Sequence, residues 1–268
     1  MGSLLAKNFS NLTNLAIFAA LKAGKILYKG FHGSFAISSK EGIHNLVTEY
    51  DLKAEKAIIS LLKKGAPNSR FLAEEGGSTG NGDLLWVIDP LDGTVNFAHH
   101  IPMFSVSIAL QIKDEITSGV VYLPITKELF VAEKGKGAFL NNKPIHVSST
   151  GTLEESMLAT GFPYNLFEDP FQCVERFVDI LKLGLPIRRL GSAAIDLAYT
   201  ATGRLDGFFE VGLKPWDSAA GALLIQEAGG TITGWDGSSF SPHSKTPIVA
   251  TNGKIHQSLT NILQKSFQ

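Results

Sequence analysis

The sequence predicts an α+β fold in one structural unit built from two lobes. Two amphipathic helices and a run of short strands fill the first half, and strands alternate with helices beyond about Ser148. Such alternation is typical of α/β layers. Because no linker separates the halves, we expect one unit over residues 1–268, with lobes 1–147 and 148–268 and a site between them.

Two helices are predicted near the N-terminus. Apolar residues recur at three- and four-residue steps over 12–27, which indicates an amphipathic helix ending near Gly30. A second helix should begin near Asp51, because Thr48 and Asp51 have the spacing of a capping box.

The middle of the chain favours β-structure. A short strand is expected at 70–73, a surface loop at 76–83, and a fully buried strand in the continuous apolar run 84–88. Turn residues at Gly135 and Gly137 and at Asn141 and Asn142 bound the stretch. The further strands expected here are 105–111, 117–123 and 128–132.

The second half is predicted to alternate between the two element types. The expected strands are 156–160, 187–190, 207–210 and 231–233. The expected helices are 171–183, 193–202 and 218–228.

Composition excludes several kinds of partner and site. With 24 Lys plus Arg against 25 Asp plus Glu, the formal net charge of −1 provides no broad positive field for nucleic acid or anionic lipid. The apolar stretch 15–21 is interrupted by Lys22 and Lys25, well before the ~20 residues of a membrane span. Cys173 is the sole cysteine, which excludes an internal disulfide or a thiolate cluster and fits a cytoplasmic location.

Two carboxylates follow the buried strand, in a turn that contains Pro90 and Gly93. Asp89 and Asp92 could simply bond nearby backbone amides, since Asp is a common turn residue. The strand, however, carries them toward the interior. Two carboxylates ~4 Å apart repel by ~4 kcal/mol at an effective dielectric of 20, so the pair indicates a cation or a shared proton.

Three further acids stand at predicted element ends. Asp51 could be only the acid of the capping box, Glu74 a solvated loop charge, and Asp217 the N-cap of the helix that follows it. Together with Asp89 and Asp92 they form a candidate set of oxygen ligands. Carboxylates without Cys or clustered His suit Mg²⁺ or Mn²⁺ rather than zinc or copper.

Three motifs resemble those of the inositol monophosphatase family. They are Glu74-Glu75-Gly, the run Asp-Pro-Leu-Asp-Gly-Thr that ends at Thr94, and Trp-Asp-Ser-Ala-Ala-Gly around Asp217. The similarity in order and spacing extends from Lys40 to Asn252. It implies a layered α/β/α/β/α sandwich of the inositol monophosphatase and fructose-1,6-bisphosphatase type. It also implies a magnesium-dependent phosphoric monoester hydrolase, inhibition by lithium, and a homodimer.

The resemblance also implies roles for the motif residues. One ion would be held by Glu74, Asp89 and the main-chain carbonyl of Leu91, and a second by Asp89, Asp92 and Asp217. Two or three Mg²⁺ ions are expected in the site, with Mn²⁺ as a substitute. Catalysis would use Thr94, Asp51 and Glu74, with Thr94 and Asp51 orienting the attacking water.

The substrate would meet residues of both lobes. The resemblance places the amides of Gly93 and Thr94 at the phosphate, beside Asp92 and Asp217. The ring of the substrate would contact a loop and an acid of the second lobe, namely Gly191, Ser192, Ala193 and Glu210. Glu210 has an equally simple interpretation as a surface charge at a strand end.

Three other polar residues lie near these motifs. His99 and His100 are interpreted as residues of the surface or of the periphery of the site rather than as metal ligands. Lys40 precedes the acid-rich segment, where it either lines the entrance or is a solvated lysine.

The expected substrate is a small phosphate monoester, with myo-inositol monophosphate as the leading candidate. Fructose 1,6-bisphosphate, 3′-phosphoadenosine 5′-phosphate and histidinol phosphate are alternatives, because contacts to the leaving group rather than the metal core set specificity. A different class of function is also considered, a regulatory binding protein stabilised by metal.

Overall fold

A computed structural model describes residues 9–35, 37–39 and 46–264 of the chain. The candidate entrance residue Lys40 lies outside these ranges. None of the helices in the described ranges has both the length and the apolar character needed to cross a membrane.

The described residues form seven α-helices and fifteen strands. The helices are α1 (Asn11–Phe31), α2 (Glu49–Gly65), α3 (Thr94–Ala98), α4 (Cys173–Leu181), α5 (Ala193–Ala201), α6 (Pro215–Glu227) and α7 (His256–Leu263). The first ten strands are β1 (Ile37–Ser39), β2 (Leu46–Thr48), β3 (Ser69–Ala73), β4 (Gly77–Gly80), β5 (Leu84–Asp92), β6 (Ser105–Ile112), β7 (Glu115–Leu123), β8 (Glu128–Glu133), β9 (Gly137–Leu140) and β10 (Lys143–Ile145). The others are β11 (Leu158–Thr160), β12 (Ile187–Arg188), β13 (Gly207–Glu210), β14 (Thr231–Gly234) and β15 (Ile248–Thr251).

The strands form two main sheets. The larger has eight strands in the order β10-β9-β8-β7-β6-β5-β3-β4, and β3 and β5 are its parallel pair. The smaller has five strands in the order β12-β11-β13-β15-β14, in which β11 pairs in parallel with β12 and β13. The short strands β1 and β2 pair separately.

The N-terminal helices form the first layer and cover one face of the larger sheet. Ile17 of α1 and Ile58 of α2 pack against Trp86, Ile88 and Val106 of the sheet. Ser10 caps α1 by accepting the Thr13 N–H, and the predicted capping box of Thr48 and Asp51 begins α2. Local capping and apolar periodicity therefore fix these helices as the sequence predicts.

Helices α5 and α6 form a central layer between the sheets. Leu85 and Val87 face this layer from the larger sheet, and Phe208 and Ala250 face it from the smaller one. On the outer side of the smaller sheet, Phe209 and Val249 pack with residues of α4 and α7. The layers thus alternate as α/β/α/β/α, which confirms the predicted fold class.

The edge of the larger sheet corrects one expectation from the sequence. The predicted surface loop 76–83 contains strand β4, which pairs antiparallel with β3 from Arg70 opposite Gly80 to Ala73 opposite Gly77. Main-chain hydrogen bonds to β3 form this edge strand. Its sequence is polar and glycine-rich, so it lacks the alternation of apolar and polar residues that predicts a strand.

Several other elements differ in extent from the prediction. Helix α4 begins at Cys173 rather than near Phe171, because Phe171 and Gln172 have positive φ angles of 58° and 52°. Strands β1, β2, β9, β10 and β15 and helices α3 and α7 are additional elements. The strands expected at 156–160 and 187–190 are shorter, at Leu158–Thr160 and Ile187–Arg188.

The central helix layer lies directly against the larger sheet at Gly119. A Cβ atom built on Gly119 of β7 would lie 2.6 Å from the main-chain oxygen of Ala220 in α6. The backbone of α6 cannot move aside as a flexible side chain can. The missing Cβ of Gly119 therefore allows β7 and α6 to pack at this short distance.

We therefore expect Gly119→Ala to destabilise the protein by about 1–3 kcal/mol, the usual cost of overpacking a core. In thermal unfolding followed by circular dichroism, the midpoint should fall by about 2–10 °C. Gly151→Ala is the matched control, because a Cβ at Gly151 meets nothing within 4 Å. Equal midpoints for the two variants would contradict the argument.

Candidate active site

A bulge in β5 places two carboxylates on the same face of the larger sheet. Asp89 pairs with Ser107 and Asp92 with Ser105 of β6, so three steps along β5 match two along β6. Residues three apart in a regular strand point to opposite faces, but one extra residue restores the same face. Since Val87 faces α5 and α6, Asp89 and Asp92 point toward that layer as well.

Glu74 reaches the same region from the neighbouring strand. β3 runs parallel to β5 with Ala73 opposite Ile88, and the Glu74 N–H donates to the Ile88 carbonyl at 3.2 Å. The carboxyl ends of these strands therefore place Glu74 beside Asp89.

Asp92 connects β5 to the start of α5. Its Oδ2 accepts hydrogen bonds from Ser192 Oγ at 2.5 Å and from the Ala194 N–H at 2.8 Å. Ser192 is also the N-cap of α5. The loop of Gly191, Ser192 and Ala193 thus lies against Asp92, and its contacts with the ring of a substrate stay a prediction.

A second link joins this loop to the turn after β5. Asn96 Nδ2 donates to the Leu190 carbonyl at 2.8 Å and to the Met103 carbonyl at 2.6 Å. Gly191 has a φ of 79°, and a Cβ there would lie 3.0 Å from Asn96 Nδ2. The glycine therefore lets the loop approach Asn96 closely.

Thr94 lies between two acceptors. Its Oγ1 is 2.9 Å from Oδ1 of Asp51 and 3.0 Å from the carbonyl of Leu91. Asp51 is fully buried, and its Oδ2 accepts the hydrogen bonds of the capping box from Thr48. One carboxylate oxygen of Asp51 therefore accepts the hydrogen bonds of the helix cap, and the other lies within hydrogen-bond distance of Thr94 Oγ1.

Gly93 allows the turn that precedes α3. It has a φ of 94°, and a Cβ atom there would lie 2.9 Å from the carbonyl oxygen of Met103. Gly93 and Thr94 therefore stand at the beginning of α3, where amides have no acceptor within the helix. Their predicted contact with phosphate remains a prediction.

Asp217 is the third residue of α6 rather than its N-cap, which corrects the simpler interpretation made from the sequence. Lys214 is the N-cap residue, and its N–H donates to Asp217 Oδ2 at 2.7 Å. Pro215 occupies the first helical position, where its missing N–H costs nothing.

Burial and mutual repulsion raise the pKa values of these acids. Burial raises the pKa of Asp89 well above its usual range, and the charges of Glu74, Asp92 and Asp217 raise it further. Burial likewise raises the pKa of Asp217, with the charge of Asp92 as the next cause. Burial raises the pKa of Asp92 to about 6, although hydrogen bonds from Ser192 and Ala194 oppose the shift.

The donor atoms suit a hard divalent cation. The described hydrogen bonds of Asp89, Asp92 and Asp217 each use a single carboxylate oxygen. A cation would stabilise the charged forms of acids that repel one another, and oxygen donors suit Mg²⁺. Nevertheless, within the ranges that the structure describes, no three His, Cys, Asp or Glu side chains form a group that could hold a metal ion. The ligand sets expected from the sequence therefore remain predictions.

Glu210 lies at the other side of the site, at the end of β13. Burial raises its pKa well above the usual range, the charges of Asp217 and Asp92 add to the rise, and Arg189 opposes it. Glu210 therefore belongs to the same electrostatic cluster, and the interpretation as an isolated surface charge is not supported.

Asp196 on α5 was not predicted as a residue of this cluster. Its side chain is 1% exposed, and among the described residues its Oδ1 has no hydrogen-bond partner. Burial raises its pKa well above the usual range, and the charges of Glu210 and Asp92 contribute. The available signal was an acid within the otherwise apolar turn Ala-Ala-Ile-Asp-Leu-Ala.

A cavity of about 460 Å³ lies beside the cluster. Its lining residues are Leu46, Val95, His99, Phe162, Pro163, Tyr164, Leu166 and Arg189. The Arg189 guanidinium carbon is 5.5 Å from the centroid of the Phe162 ring. His99 and His100 are both exposed, as expected for peripheral residues.

Comparisons with known proteins agree with this fold. The chain is 45% identical over 256 residues to inositol-1-monophosphatase of Synechocystis sp., covering 95% of this chain and 89% of the relative. It is 42% identical over 260 residues to the Nus factor SuhB of Pseudomonas aeruginosa, covering 94% and 96% of the two chains. The crystal structure of extragenic suppressor protein suhB from Bartonella henselae has a TM-score of 0.90 at 40% identity, covering 96% of this chain and 100% of that one.

The layered sandwich with acids gathered at strand and helix ends defines a class of phosphatases. A model of the inositol monophosphatase family matches residues 8–268. The chain belongs to the inositol monophosphatase family, which confirms the resemblance of its motifs.

The acid cluster leads to a prediction about stability in chelator. The pKa of Asp92 in the folded protein, about 6, exceeds the usual value of 3.8 for an aspartate. Between pH 3.8 and about pH 6, the folded protein thus binds more protons at Asp92 than the unfolded chain does. The contribution of Asp92 to the free energy of unfolding therefore decreases as the pH rises through this range. Mg²⁺ should offset that loss only where the acids are ionised.

Thermal unfolding at pH 7.5 and pH 5.0, with chelator or with Mg²⁺, measures this effect. At pH 7.5, Mg²⁺ at a hundredfold excess over its Kd should add about 2.7 kcal/mol and raise the midpoint by about 5–10 °C. At pH 5.0 the increase should be much smaller. An equal increase at both pH values would argue against ion binding by these acids.

Proposed function

We propose that the protein hydrolyses a small phosphate monoester in a Mg²⁺-dependent reaction, with myo-inositol monophosphate as the leading substrate. The observation that supports this most strongly is the bulge of β5, which directs Asp89 and Asp92 to one face. Burial raises the pKa of Asp89, and the charges of Glu74, Asp92 and Asp217 raise it further, so all four acids share one electrostatic environment.

The proposed ligand sets follow the family's motifs. Glu74, Asp89 and the Leu91 carbonyl would hold one Mg²⁺, and Asp89, Asp92 and Asp217 a second. Two or three ions are proposed for turnover, with Mn²⁺ as a substitute. Bound ions would lower the pKa of water and neutralise charge on the phosphate.

Thr94 and Asp51 are proposed to orient the attacking water. The single Thr94 hydroxyl proton points to Asp51 or to the Leu91 carbonyl, which leaves lone pairs on Oγ1 to accept a hydrogen bond from water. Such a bond would direct a water lone pair toward phosphorus. Glu74 completes the proposed catalytic set beside this pair.

Hydrolysis then requires a balanced transfer of protons. The water oxygen bonds to phosphorus as the ester bond breaks, and the water proton passes through Thr94 toward Asp51. Burial raises the pKa of Asp51, which favours holding that proton. The departing alcohol oxygen takes up a proton from solvent.

The leaving group is proposed to lie between α5 and β13. Gly191, Ser192 and Ala193 would contact its ring, and Glu210 would accept hydrogen bonds from its hydroxyls. A polyol fits this chemistry, because each hydroxyl can donate to a buried carboxylate.

A second candidate substrate is a nucleotide such as 3′-phosphoadenosine 5′-phosphate. The cavity beside the acids is lined by Phe162, Tyr164 and Arg189, whose flat groups can stack with a base. Fructose 1,6-bisphosphate and histidinol phosphate remain further alternatives.

The test is phosphate release from these three substrates and from inositol monophosphate, with Mg²⁺ or excess chelator. Asp92→Asn should lower the rate by about 10²- to 10³-fold, as expected on removal of one electrostatic stabiliser. The fold should persist, because the Asn oxygen can still accept from Ser192 and Ala194. Asp83→Asn is the control: this exposed acid immediately precedes β5, at the end opposite Asp92.

Release that continues in chelator, or an unaffected Asp92→Asn variant, would refute the proposed hydrolysis. Fastest turnover of the nucleotide would select the second candidate. If the wild-type protein released phosphate from none of the substrates, the alternative of a metal-stabilised regulatory protein would be favoured. Names such as Nus factor SuhB among the relatives make that alternative worth testing.

We also propose a cytoplasmic homodimer. The segment before and within α4 exposes large apolar side chains, including Tyr164 at 64%, Phe167 at 86% and Phe171 at 55%. A second copy of the chain would cover such a patch, since stable interfaces are enriched in aromatic residues.

Light scattering should give about twice the chain mass of 28.8 kDa. Phe167→Ser should shift the protein toward the single-chain mass. Phe18→Ser, at a phenylalanine of α1 that is 44% exposed, should not change it. A single-chain mass for the unmodified protein would refute the dimer.

A further inference from the structure

The carboxylate of Glu210 occupies space that a side chain at residue 161 would fill. β11 and β13 pair in parallel, with Thr160 opposite Phe209. Thr160 Oγ1 also donates to the Phe209 carbonyl at 2.7 Å. A Cβ atom built on Gly161 would lie 2.2 Å from Oε1 and 2.3 Å from Oε2 of Glu210.

Packing rather than hydrogen bonding holds this carboxylate. In the part of the chain covered by the structure, no hydrogen bond to the Glu210 side chain is found. Charges of Asp217 and Asp92 disfavour its ionised form, and Arg189 favours it. Because Gly161 has no side chain, the Glu210 carboxylate can occupy the space above it.

We propose that Gly161 is a positioning residue that sets the place of the Glu210 carboxylate and thereby the selection of substrates with hydroxyl groups. This inference rests on the proposed function of the site. The substrate class it favours is a polyol phosphate, whose hydroxyls donate to Glu210.

The conformation of Gly161 makes the inference testable without unfolding the protein. Its φ lies outside the left-handed region, so alanine can adopt the same backbone conformation. The atoms that an alanine Cβ would meet belong to the flexible end of Glu210. Gly119 differs, because its Cβ would meet the backbone of Ala220. Gly161→Ala should therefore displace the carboxylate and leave the fold intact.

The experiment compares kinetics on two substrates in Mg²⁺. One is myo-inositol 1-phosphate, and the other is p-nitrophenyl phosphate, whose leaving group has no hydroxyl donors. The ratio of the two kcat/KM values should fall by about 10- to 100-fold in Gly161→Ala, the effect of losing hydrogen bonds to a charged group. Most of this loss should appear in KM. Gly151→Ala, at an open exposed glycine, should keep the wild-type ratio.

A double-mutant cycle separates positioning from any other effect. If Gly161 acts through Glu210, Gly161→Ala should change nothing further in a Glu210→Ala background. Equal losses on both substrates, or an additional loss in that background, would overturn the proposal. Failure of Gly161→Ala to fold would also overturn it, because the flexible carboxylate should yield.

Failure of the proposed function is distinguishable from failure of this inference. If the wild-type protein hydrolysed neither substrate, the proposed function would fall, and a crystal structure of Gly161→Ala would still test the positioning. A displaced Glu210 carboxylate with an unmoved β11 would support the inference. A carboxylate still above residue 161, with the backbone shifted instead, would overturn it.

Discussion

Repulsion between neighbouring carboxylates is the constraint to which the surrounding elements are fitted. Asp89, Asp92 and Asp217 come from β5 and α6, and each accepts a main-chain N–H, from Leu91, Ala194 and Lys214 respectively. These amides stabilise one oxygen of each acid, and none of the described hydrogen bonds uses the other oxygen. Because the donors belong to a strand bulge and to two helix starts, the positions of α5 and α6 are tied to the acids they hold.

The sequence predicted those parts of the protein that local interactions determine. The capping box of Thr48 and Asp51, the periodicity of α1 and the apolar run of β5 depend on neighbours within a few residues, and all three were found. The layered sandwich followed from the resemblance of motifs. The acids were singled out by their positions at the ends of helices and strands. Acids at such positions also cap helices and turns, so the sequence pattern alone could not distinguish a metal ligand from a cap.

Contacts between distant residues could not be predicted in this way. Strand β4 is formed by main-chain pairing of a glycine-rich segment, and the register shift in β5 is visible only once β6 is beside it. The contact of Glu210 with Gly161 joins β13 to the residue that follows β11, and the burial of Asp196 depends on packing across the central layer. Each of these features depends on which segments of the chain lie next to one another in the fold. The periodicity of a single sequence does not show which segments become neighbours.

The Asn96 amide gives the site a fixed internal distance. It bonds the carbonyl of Leu190, next to the loop of α5, while its own helix follows directly from the turn at Gly93. The Asn96 side chain therefore links the start of α3 to the residue that precedes the loop of α5. A molecule that contacted both of these elements would therefore meet groups whose separation is set by a hydrogen bond of the protein itself.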